Sequence, residues 1–185
     1  MPRSQTARQI AEVLEFWETA GPERWFGRNE SFDANFRSHF LDAHHAAARR
    51  EHEDCMDSAD GALALLILLD QFPRNCFRGS AHAYATDGLA LHYAKRAVSA
   101  GFDYDVAPSL RMFFYLPYEH SEDPAEQARS VELHQGLPEA DSDKWALLHQ
   151  DIIHRFGRFP HRNAALGRET TAAEQQFLDE GGFAG

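Results

Sequence analysis

Apolar residues recur at helical spacing along most of this chain, and that pattern constrains its fold more than any other feature. The first stripe occupies positions i, i+3, i+4 and i+7, which places its members on one face of a helix. Those members are Ile10, Val13, Leu14 and Trp17. No segment shows several alternating apolar residues between turn signals, so the sequence predicts no strand. The expected fold class is all-α.

Capping and breaking residues divide the N-terminal half into helices. Gly21-Pro22 ends the first helix. Ser58 is predicted to cap a helix over residues 59–71, and Pro73 to end it. The middle of that helix is apolar on every side, which predicts a central position in the fold.

The same signals divide the C-terminal half. Gly79-Ser80 is expected to start a helix that reaches residue 100, with Gly101 as its C-cap. Pro117 is expected to close a short helix over residues 109–116. Further N-caps are predicted at Ser121, Ser142 and Thr171, the last in a capping box with Glu174. The total is about eight helices in a single domain over residues 1–185.

Charge and composition exclude several functional classes. The formal net charge is -11, which disfavours nucleic acid and anionic membrane surfaces as partners. The longest strongly apolar run, residues 62–69, is too short to span a bilayer, and the N-terminal residues lack the apolar region of a signal peptide. We therefore expect a cytoplasmic protein. The two cysteines form no C-x-x-C motif, and we predict no metal and no cofactor.

Cationic and imidazole side chains concentrate in RFGRFPHRNAALGRETT, residues 155–171. Arg158, His161, Arg162 and Arg168 could surround an anion with help from exposed N–H groups where the last helix begins. They could equally pair with acidic neighbours and cap the preceding helix. Both interpretations stay open at the level of sequence.

A second polar group lies in LLDQFPRNCFRG, residues 68–79. Asp70 follows an apolar helix, where a carboxylate opposes the helix dipole and needs compensation. Arg74 and Arg78 are near enough in sequence to provide it. Asp70 therefore either forms a local ion pair with an arginine that fixes the turn, or orients a histidine or a ligand amine.

A third polar group surrounds YEHSED, residues 118–123. His120 lies among Glu119, Glu122 and Asp123, and these carboxylates should favour its protonated form. The spacing matches no strong metal motif. His44-His45, on a polar helix segment, is expected to be solvated.

Two stretches of the chain resemble each other. FPRN at residues 72–75 and FPHRN at residues 159–163 each place a glycine four residues after the asparagine. The offset between Asn75 and Asn163 is 163 − 75 = 88 residues. This similarity indicates either an internal repeat or two turns with the same residue preferences.

Three motifs resemble the family called domain of unknown function 924, and they follow one another along the chain in the order LLDQFPRNCFRG, FFYLPYEHSED with Gln127 after it, and HRFGRFPHRNAALGRETT with Glu174. Trp25-Phe26 fits the N-terminal part of the family as well. The resemblance implies an all-helical fold similar to a tetratricopeptide-repeat superhelix of antiparallel hairpins, and it brings no activity. It also implies that the motif residues act together at helix ends. Candidate catalytic residues are His120, His161, Glu119 and Asp70. Candidate ligand-binding residues are Arg74, Asn75, Arg78, Arg158, Arg162, Asn163, Arg168 and Gln127.

Three functional hypotheses follow. The first is a site that binds or acts on a small anionic molecule, with a histidine as general acid or base. The second is a helical scaffold for a peptide or protein partner, anchored by exposed aromatics such as Trp25 and Phe26. The third is a structural or oligomeric protein in which the polar motifs lock turns together.

Overall fold

The computed structural model describes residues 3–184, with side chains from residue 8 onward, and this part of the chain is helical without a strand. The α-helices are α1 (Arg3–Ala20), α2 (Pro22–Trp25), α3 (Glu30–Ala48), α4 (Ala59–Leu66), α5 (Phe72–Cys76), α6 (Asp87–Ala100), α7 (Leu116–Glu119), α8 (Pro124–Gln135), α9 (Lys144–Phe156) and α10 (Ala172–Asp179). The 3-10 segments are Glu53–Asp57, Ala81–Tyr84, Phe102–Tyr104, Pro108–Phe114 and Pro160–Arg162, and Ile67–Gln71 forms a π-turn.

The all-α class predicted from the sequence is confirmed. The single-domain organisation and the tetratricopeptide-like hairpin arrangement stay predictions. None of the described helices is both long enough and apolar enough to cross a membrane.

A rod formed by α4, the π-turn and α5 lies at the centre of the molecule, as its all-round apolar sequence predicted. Every residue from 61 to 73 is buried. The rod packs against α1, α3 and α6. Burying a leucine or isoleucine side chain contributes about 1.5–3 kcal/mol, so this segment is a major source of stability. Ser58 caps it as expected, since its hydroxyl accepts a hydrogen bond from the Gly61 amide.

The rod does not end at Pro73, contrary to the expectation. The Phe72 amide donates to the carbonyl of Ile67, five residues back, and this π-turn changes the register of the hydrogen bonds. Pro73 then occupies the first turn of α5, where its missing N–H costs little. The helical path therefore continues to Cys76 and carries Arg74 with it.

Two other boundaries also differ from prediction. Helix α6 begins at Asp87 because Ser80 donates to the Phe77 carbonyl and the chain first forms a 3-10 turn. Gly101 ends α6 in a left-handed conformation, as predicted. Pro117 lies at the start of α7 rather than closing the helix before it, since a proline is tolerated in a first turn.

Two of the predicted caps move by one or two residues. Asp123, not Ser121, caps α8, because its carboxylate accepts from the Ala125 amide. Ser142 does not cap α9, since its hydroxyl donates to the His134 carbonyl instead. The capping box of Thr171 and Glu174 is confirmed on α10.

The aromatic residues near the N-terminus are mostly internal. Trp25 is 5% exposed, and its indole N–H donates to the Trp17 carbonyl at 2.8 Å, so the expectation that it is an exposed anchor is wrong. Phe26 is 56% exposed, although its ring stacks on Phe113. The hydrogen bond from the Trp25 indole to the Trp17 carbonyl joins α2 to α1. Because the indole is buried and its N–H is already used, Trp25 is unavailable to a partner.

Candidate functional site

The buried carboxylate of Asp70 lies between a histidine and an arginine. Its Oδ1 accepts from Nδ1 of His120 at 2.8 Å and lies 3.0 Å from Nη1 of Arg74. Gln71 donates to the other oxygen at 2.6 Å. Both interpretations of Asp70 therefore describe the geometry, since the carboxylate pairs with an arginine and also orients a histidine. Arg78, the alternative partner, contacts other residues.

His120 is held in one tautomer. Because Nδ1 donates to Asp70, the neutral ring carries its lone pair on Nε2, which has no hydrogen-bond partner among residues 8–184. Burial and then the charge of Arg74 lower the pKa of His120, against the opposing effect of Asp70. The carboxylates that favour the protonated ring are Asp70 and Asp87 rather than the acidic neighbours in sequence, and burial with Arg74 outweighs them.

Two arginines share the carboxylate of Asp87 at the start of α6. Arg74 binds it through two hydrogen bonds of 2.8 and 3.0 Å, and Arg162 donates to Oδ2 at 3.1 Å. Arg162 also donates to the backbone carbonyl of His120 at 3.0 Å, while its own Nε is buried without a partner. We call Asp70, Arg74, Asp87, His120 and Arg162 the inner cluster.

Asp70, Arg74 and Arg162 of the inner cluster are ionised at neutral pH. Burial would raise the pKa of Asp70, but Arg74 and His120 together lower it. Burial likewise opposes the charge of Arg74, yet Asp70 and Asp87 raise its pKa. Burial and Arg74 lower the pKa of Arg162 to about 10, which still leaves it charged at neutral pH. Two carboxylates thus balance two guanidinium groups.

Aromatic rings enclose one side of the inner cluster. The guanidinium carbon of Arg162 lies 4.7 Å from the ring centre of Tyr84 and 4.4 Å from that of Phe159. The ring of Phe183 lies edge-on to His161 at 5.2 Å and to His149 at 4.6 Å. The segment after α10 therefore covers the histidines that flank the cluster.

His161 itself makes no hydrogen bond through Nδ1, although that atom is buried. Burial and the neighbouring charge of Arg162 lower its pKa to about 3, so the ring is neutral. Its ring centre lies 6.5 Å from that of Tyr84 and 5.6 Å from that of Phe159. His161 thus borders the cluster without contacting Asp70.

Glu119 is buried beside two neutral histidines. Its Oε2 lies 3.5 Å from Nε2 of His134, and its Oε1 lies 3.3 Å from Nδ1 of His149. Each histidine places Nδ1 within 2.9 Å of a backbone carbonyl, so Nδ1 carries the proton in both. Burial, and then Asp70, raise the pKa of Glu119 to about 8. Oε2 of Glu119 and Nε2 of His134 are both buried without a hydrogen-bond partner among the described residues.

Two predicted ligand-binding amides hold backbone and side chains in place. Nε2 of Gln127 lies 2.6 Å from the carbonyls of both Glu119 and Ser121, which fixes the connection between α7 and α8. Asn75 accepts from Arg78 at 3.1 Å, and Arg78 also pairs with Asp33. These side chains lie outside the inner cluster.

The remaining predicted arginines form ion pairs around the turn at Pro160–Arg162. Arg158 binds Glu174 through two hydrogen bonds of 2.6 and 2.8 Å, and Arg168 binds Glu122 at 2.8 and 2.9 Å. Asn163 donates to Glu174 at 3.4 Å. We call Arg158, Glu174, Arg168 and Glu122 the outer clamp. Its charges are compensated within the protein, in the way the ion-pair interpretation described.

The two similar stretches at residues 72–75 and 159–163 adopt different backbones. The first is α-helical and the second is a 3-10 turn, although Gly79 and Gly167 both have positive φ. Their shared composition reflects the turn glycines and the two arginines, Arg74 and Arg162, that meet at Asp87. The backbone difference favours a common turn preference over an internal repeat.

Sequence reasoning missed several residues at this site. They are Tyr84, Asp87, His134, His149 and Phe183. Helix α6 was expected to begin at residues 79–80, so Asp87 was placed in its interior, where a single acidic residue gives no signal of a site. The histidines and aromatics carry no motif, and only the tertiary fold brings them together.

An open depression lies elsewhere, along α3, and is lined by Ala34, Arg37, Ser38, His39, Leu41 and Asp42. The large apolar side chains that are exposed in the described part of the chain are Phe26, Tyr104, Trp145 and Leu147. They come from three segments, since Trp145 and Leu147 both lie on α9, and none of them lines this depression.

The chain belongs to the family described as bacterial protein of unknown function, DUF924, which matches residues 13–182. This confirms the resemblance seen in the three motifs. A solved structure of a protein of unknown function, ATU0120 from Agrobacterium tumefaciens, is similar at 51% identity and a TM-score of 0.92. That similarity covers 95% of this chain and 99% of the other. Comparison with curated proteins gives no match.

Proposed function

We propose that this protein binds a small anionic molecule at the inner cluster, and that His120 exchanges a proton with it. One observation carries the proposal. Asp70 holds Nδ1 of His120 at 2.8 Å and leaves Nε2 without a partner among the described residues. A carboxylate that fixes one nitrogen of an imidazole and leaves the other available is the arrangement that general acid–base chemistry requires.

The protonation state fits that role. The lowered pKa of His120 leaves the ring neutral at physiological pH, so Nε2 is ready to accept a proton. Once protonated, the imidazolium would be stabilised by the buried carboxylate of Asp70. Glu119 lies next to His120 in the chain, and the same burial that lowers the histidine's pKa keeps this carboxyl neutral.

The anion-binding part of the proposal rests on Arg162. Its Nε is a buried donor without a partner, and buried polar groups are normally satisfied. Nδ1 of His161, also buried and unpaired, lies close by in the same turn. Because Asp70 and Asp87 already balance the two guanidinium charges, we expect a small monoanion such as a carboxylate rather than a polyphosphate.

Access to the inner cluster is provided by its three partly exposed side chains. His120 is 13% exposed, Arg74 16% and Asp87 19%. A ligand that reaches these atoms from the surface meets the charged face of the cluster first. We also propose a cytoplasmic location without nucleic-acid or membrane partners, on the strength of the net charge of -11.

A thermal-shift screen with small carboxylates and inorganic phosphate tests this function. A ligand at about 100 times its Kd stabilises the native state by about 2.7 kcal/mol. We expect one carboxylate to raise the Tm of the wild type and to have no effect on Arg162→Lys, which keeps a charge but loses the Nε donor. Arg168→Lys is the matched control, because it changes an arginine of the outer clamp, and it should respond like the wild type.

His120→Gln separates binding from proton exchange. The amide can still donate to Asp70 but cannot take up a proton. The Tm shift should therefore persist, while the pH dependence of binding that comes from protonation of His120, whose pKa is lowered from 6.5, disappears. If no anion shifts the Tm of the folded wild type, the inner cluster is a structural network and the proposal fails. A shift that survives in Arg162→Lys would place the ligand elsewhere.

A further inference from the structure

Three histidines meet at a second place, between α3 and the 3-10 turn Ala81–Tyr84. They are His44, His45 and His82, and we call them the histidine cluster. One ring nitrogen from each lies within 4.8 Å of those of the other two. The ring centres form a nearly equilateral triangle, with sides of 5.2, 5.2 and 5.7 Å. The sequence predicted a solvated His44-His45 pair, but His44 is fully buried.

The backbone fixes the tautomer of His44. Its Nδ1 lies 2.9 Å from the Leu68 carbonyl, which can only accept, so Nδ1 carries the proton. Nε2 therefore presents a lone pair, and it lies 2.9 Å from Nε2 of His82. A hydrogen bond from one ring nitrogen to a backbone carbonyl is the usual outer-shell support of a metal-bound histidine.

The rings are also held by stacking. His82 lies flat on Phe77, with ring centres 3.8 Å apart and an angle of 5° between the planes. His44 stacks on Phe72 at 4.9 Å. Rings that are fixed before a ligand arrives lose little conformational freedom on binding, so this packing pre-organises the cluster.

We propose that His44, His45 and His82 form a binding site for a zinc ion or a similar divalent transition metal. Three imidazole nitrogens around one zinc at Zn–N distances of about 2.0–2.1 Å lie roughly 3.4 Å apart. The separations in the histidine cluster, from 2.9 Å between Nε2 of His44 and Nε2 of His82 up to at most 4.8 Å, span that distance. An all-imidazole ligand set selects zinc, copper or nickel over magnesium and calcium.

The site would retain an open coordination position. Three protein ligands leave the fourth position of a tetrahedral zinc to water or to an added ligand. A cation lies close by, since the guanidinium carbon of Arg37 is 4.7 Å from the ring centre of Phe77, on which His82 stacks. Its charge opposes a bound cation, so we expect affinity below that of a closed structural site.

This site is distinct from the inner cluster, although the two share one support. Leu68, whose carbonyl holds His44, belongs to the same π-turn as Asp70. A metal at the histidine cluster would tie α3 to the 3-10 turn Ala81–Tyr84. Its binding is tested without reference to any activity at Asp70 and His120.

The site is tested by isothermal titration calorimetry, in which Zn²⁺ is added to the full chain after treatment with a chelator. We expect one equivalent to bind. His45→Ala and His82→Ala should each weaken binding by more than the roughly 10–100-fold typical of losing an outer-shell partner. These two rim residues are chosen because His44 is buried and its removal could unfold the chain. His92→Ala, at an exposed histidine of α6, should bind as the wild type does.

Co²⁺ absorption distinguishes this site from a second group, His52, Asp54 and Cys55, whose ligand atoms also lie within 4.8 Å of one another. A tetrahedral spectrum without thiolate charge-transfer bands supports the histidine cluster. Thiolate bands, or loss of the equivalent in Asp54→Ala, would place the ion at the other group and overturn the proposal. Absence of saturable Zn²⁺ binding would overturn it as well, and would leave His44 and His82 as a hydrogen-bonded pair.

Discussion

The inner cluster and the outer clamp use the same residue types, yet they satisfy their arginines differently. In the outer clamp each arginine has its own glutamate, and both pairs are bidentate. In the inner cluster Arg74 and Arg162 share Asp87, and Nε of Arg162 stays unpaired. A one-to-one bidentate pair consumes the binding capacity of a guanidinium, whereas a shared carboxylate leaves part of it available.

Burial adds to this difference. The side chains of Arg158 and Arg168 are 29% and 30% exposed, while that of Arg162 is 7% exposed. Exposed pairs are screened by water, so their loss has a modest effect, whereas an uncompensated buried charge is costly. The comparison indicates that the ion pairs of the outer clamp hold the turn at Pro160–Arg162 in place. The inner cluster is the part that keeps a buried donor, Nε of Arg162, without a partner.

Removal of the shared carboxylate should have the largest effect. Asp87→Ala leaves Arg162 without a carboxylate partner and Arg74 with only Asp70, and we expect a loss of about 3–5 kcal/mol in the free energy of unfolding. Glu122→Ala, in the outer clamp, should cost only about 2 kcal/mol. Urea denaturation measures both. Equal losses of unfolding free energy would mean that the greater burial of the inner cluster does not make it costlier to disrupt than the outer clamp.

Glu174 should be the most important acidic residue of the outer clamp. It is 2% exposed, pairs with Arg158 and closes the capping box with Thr171. Loss of the cap and of the charged hydrogen bonds in Glu174→Ala should cost about 3 kcal/mol. Glu169→Ala, at an exposed neighbour, should be neutral. Ligand binding at the inner cluster should persist in the variant, and its loss would show that the clamp is part of the site.

The fold class could be predicted from the sequence, and so could the helix ends that depend on a glycine or a capping box. The positive-φ glycines at Gly101 and Gly157 and the capping box at Thr171 were predictable, because they depend on local chemistry. Pro73 was misjudged because a π-turn five residues long re-registers the hydrogen bonds before it. That turn depends on tertiary packing around the rod, which a local rule does not include.

The site was only partly predictable. Asp70 and His120 carried a signal because a carboxylate at a helix end and a histidine among acids both need an explanation. Asp87 carried none, because helix α6 was expected to begin at residues 79–80 and an acidic residue inside a helix is commonly a surface residue. Burial reversed the predicted charge state of His120, and burial is a property of the whole fold.

Glu119 gives a pH test of the same environment. Its pKa of about 8 lies above its ordinary value of 4.5, so the folded state binds a proton that the unfolded state releases. Stability from this group is present at low pH and declines as pH rises toward 8. Between pH 6.5 and 8 we expect the wild type to lose about 1.5 kcal/mol relative to Glu119→Gln, which mimics the protonated form.

The pH window is chosen with the neighbouring groups in mind. His134 and His149 have lowered pKa values, so they favour folding as pH rises and finish titrating near the unfolded value of 6.5. Asp70 and Arg74 stay ionised throughout. Parallel curves of stability against pH for the wild type and Glu119→Gln above pH 6.5 would show that Glu119 is ionised in the native state.

Removal of the Phe183 ring should produce the smallest change in stability. It should also produce the clearest change in the access of a reagent to His161. The ring of Phe183 covers His149 and His161 but is itself only partly buried, so Phe183→Ala should cost about 1 kcal/mol. Carbethoxylation of His161 by diethyl pyrocarbonate should become faster in this variant, whereas Phe26→Ala should leave the rate unchanged. Since the outer clamp does not depend on Phe183, its arginines should stay ordered. An unchanged rate at His161 would mean that the ring is reached from the Tyr84 side, and that the segment after α10 does not control entry to the inner cluster.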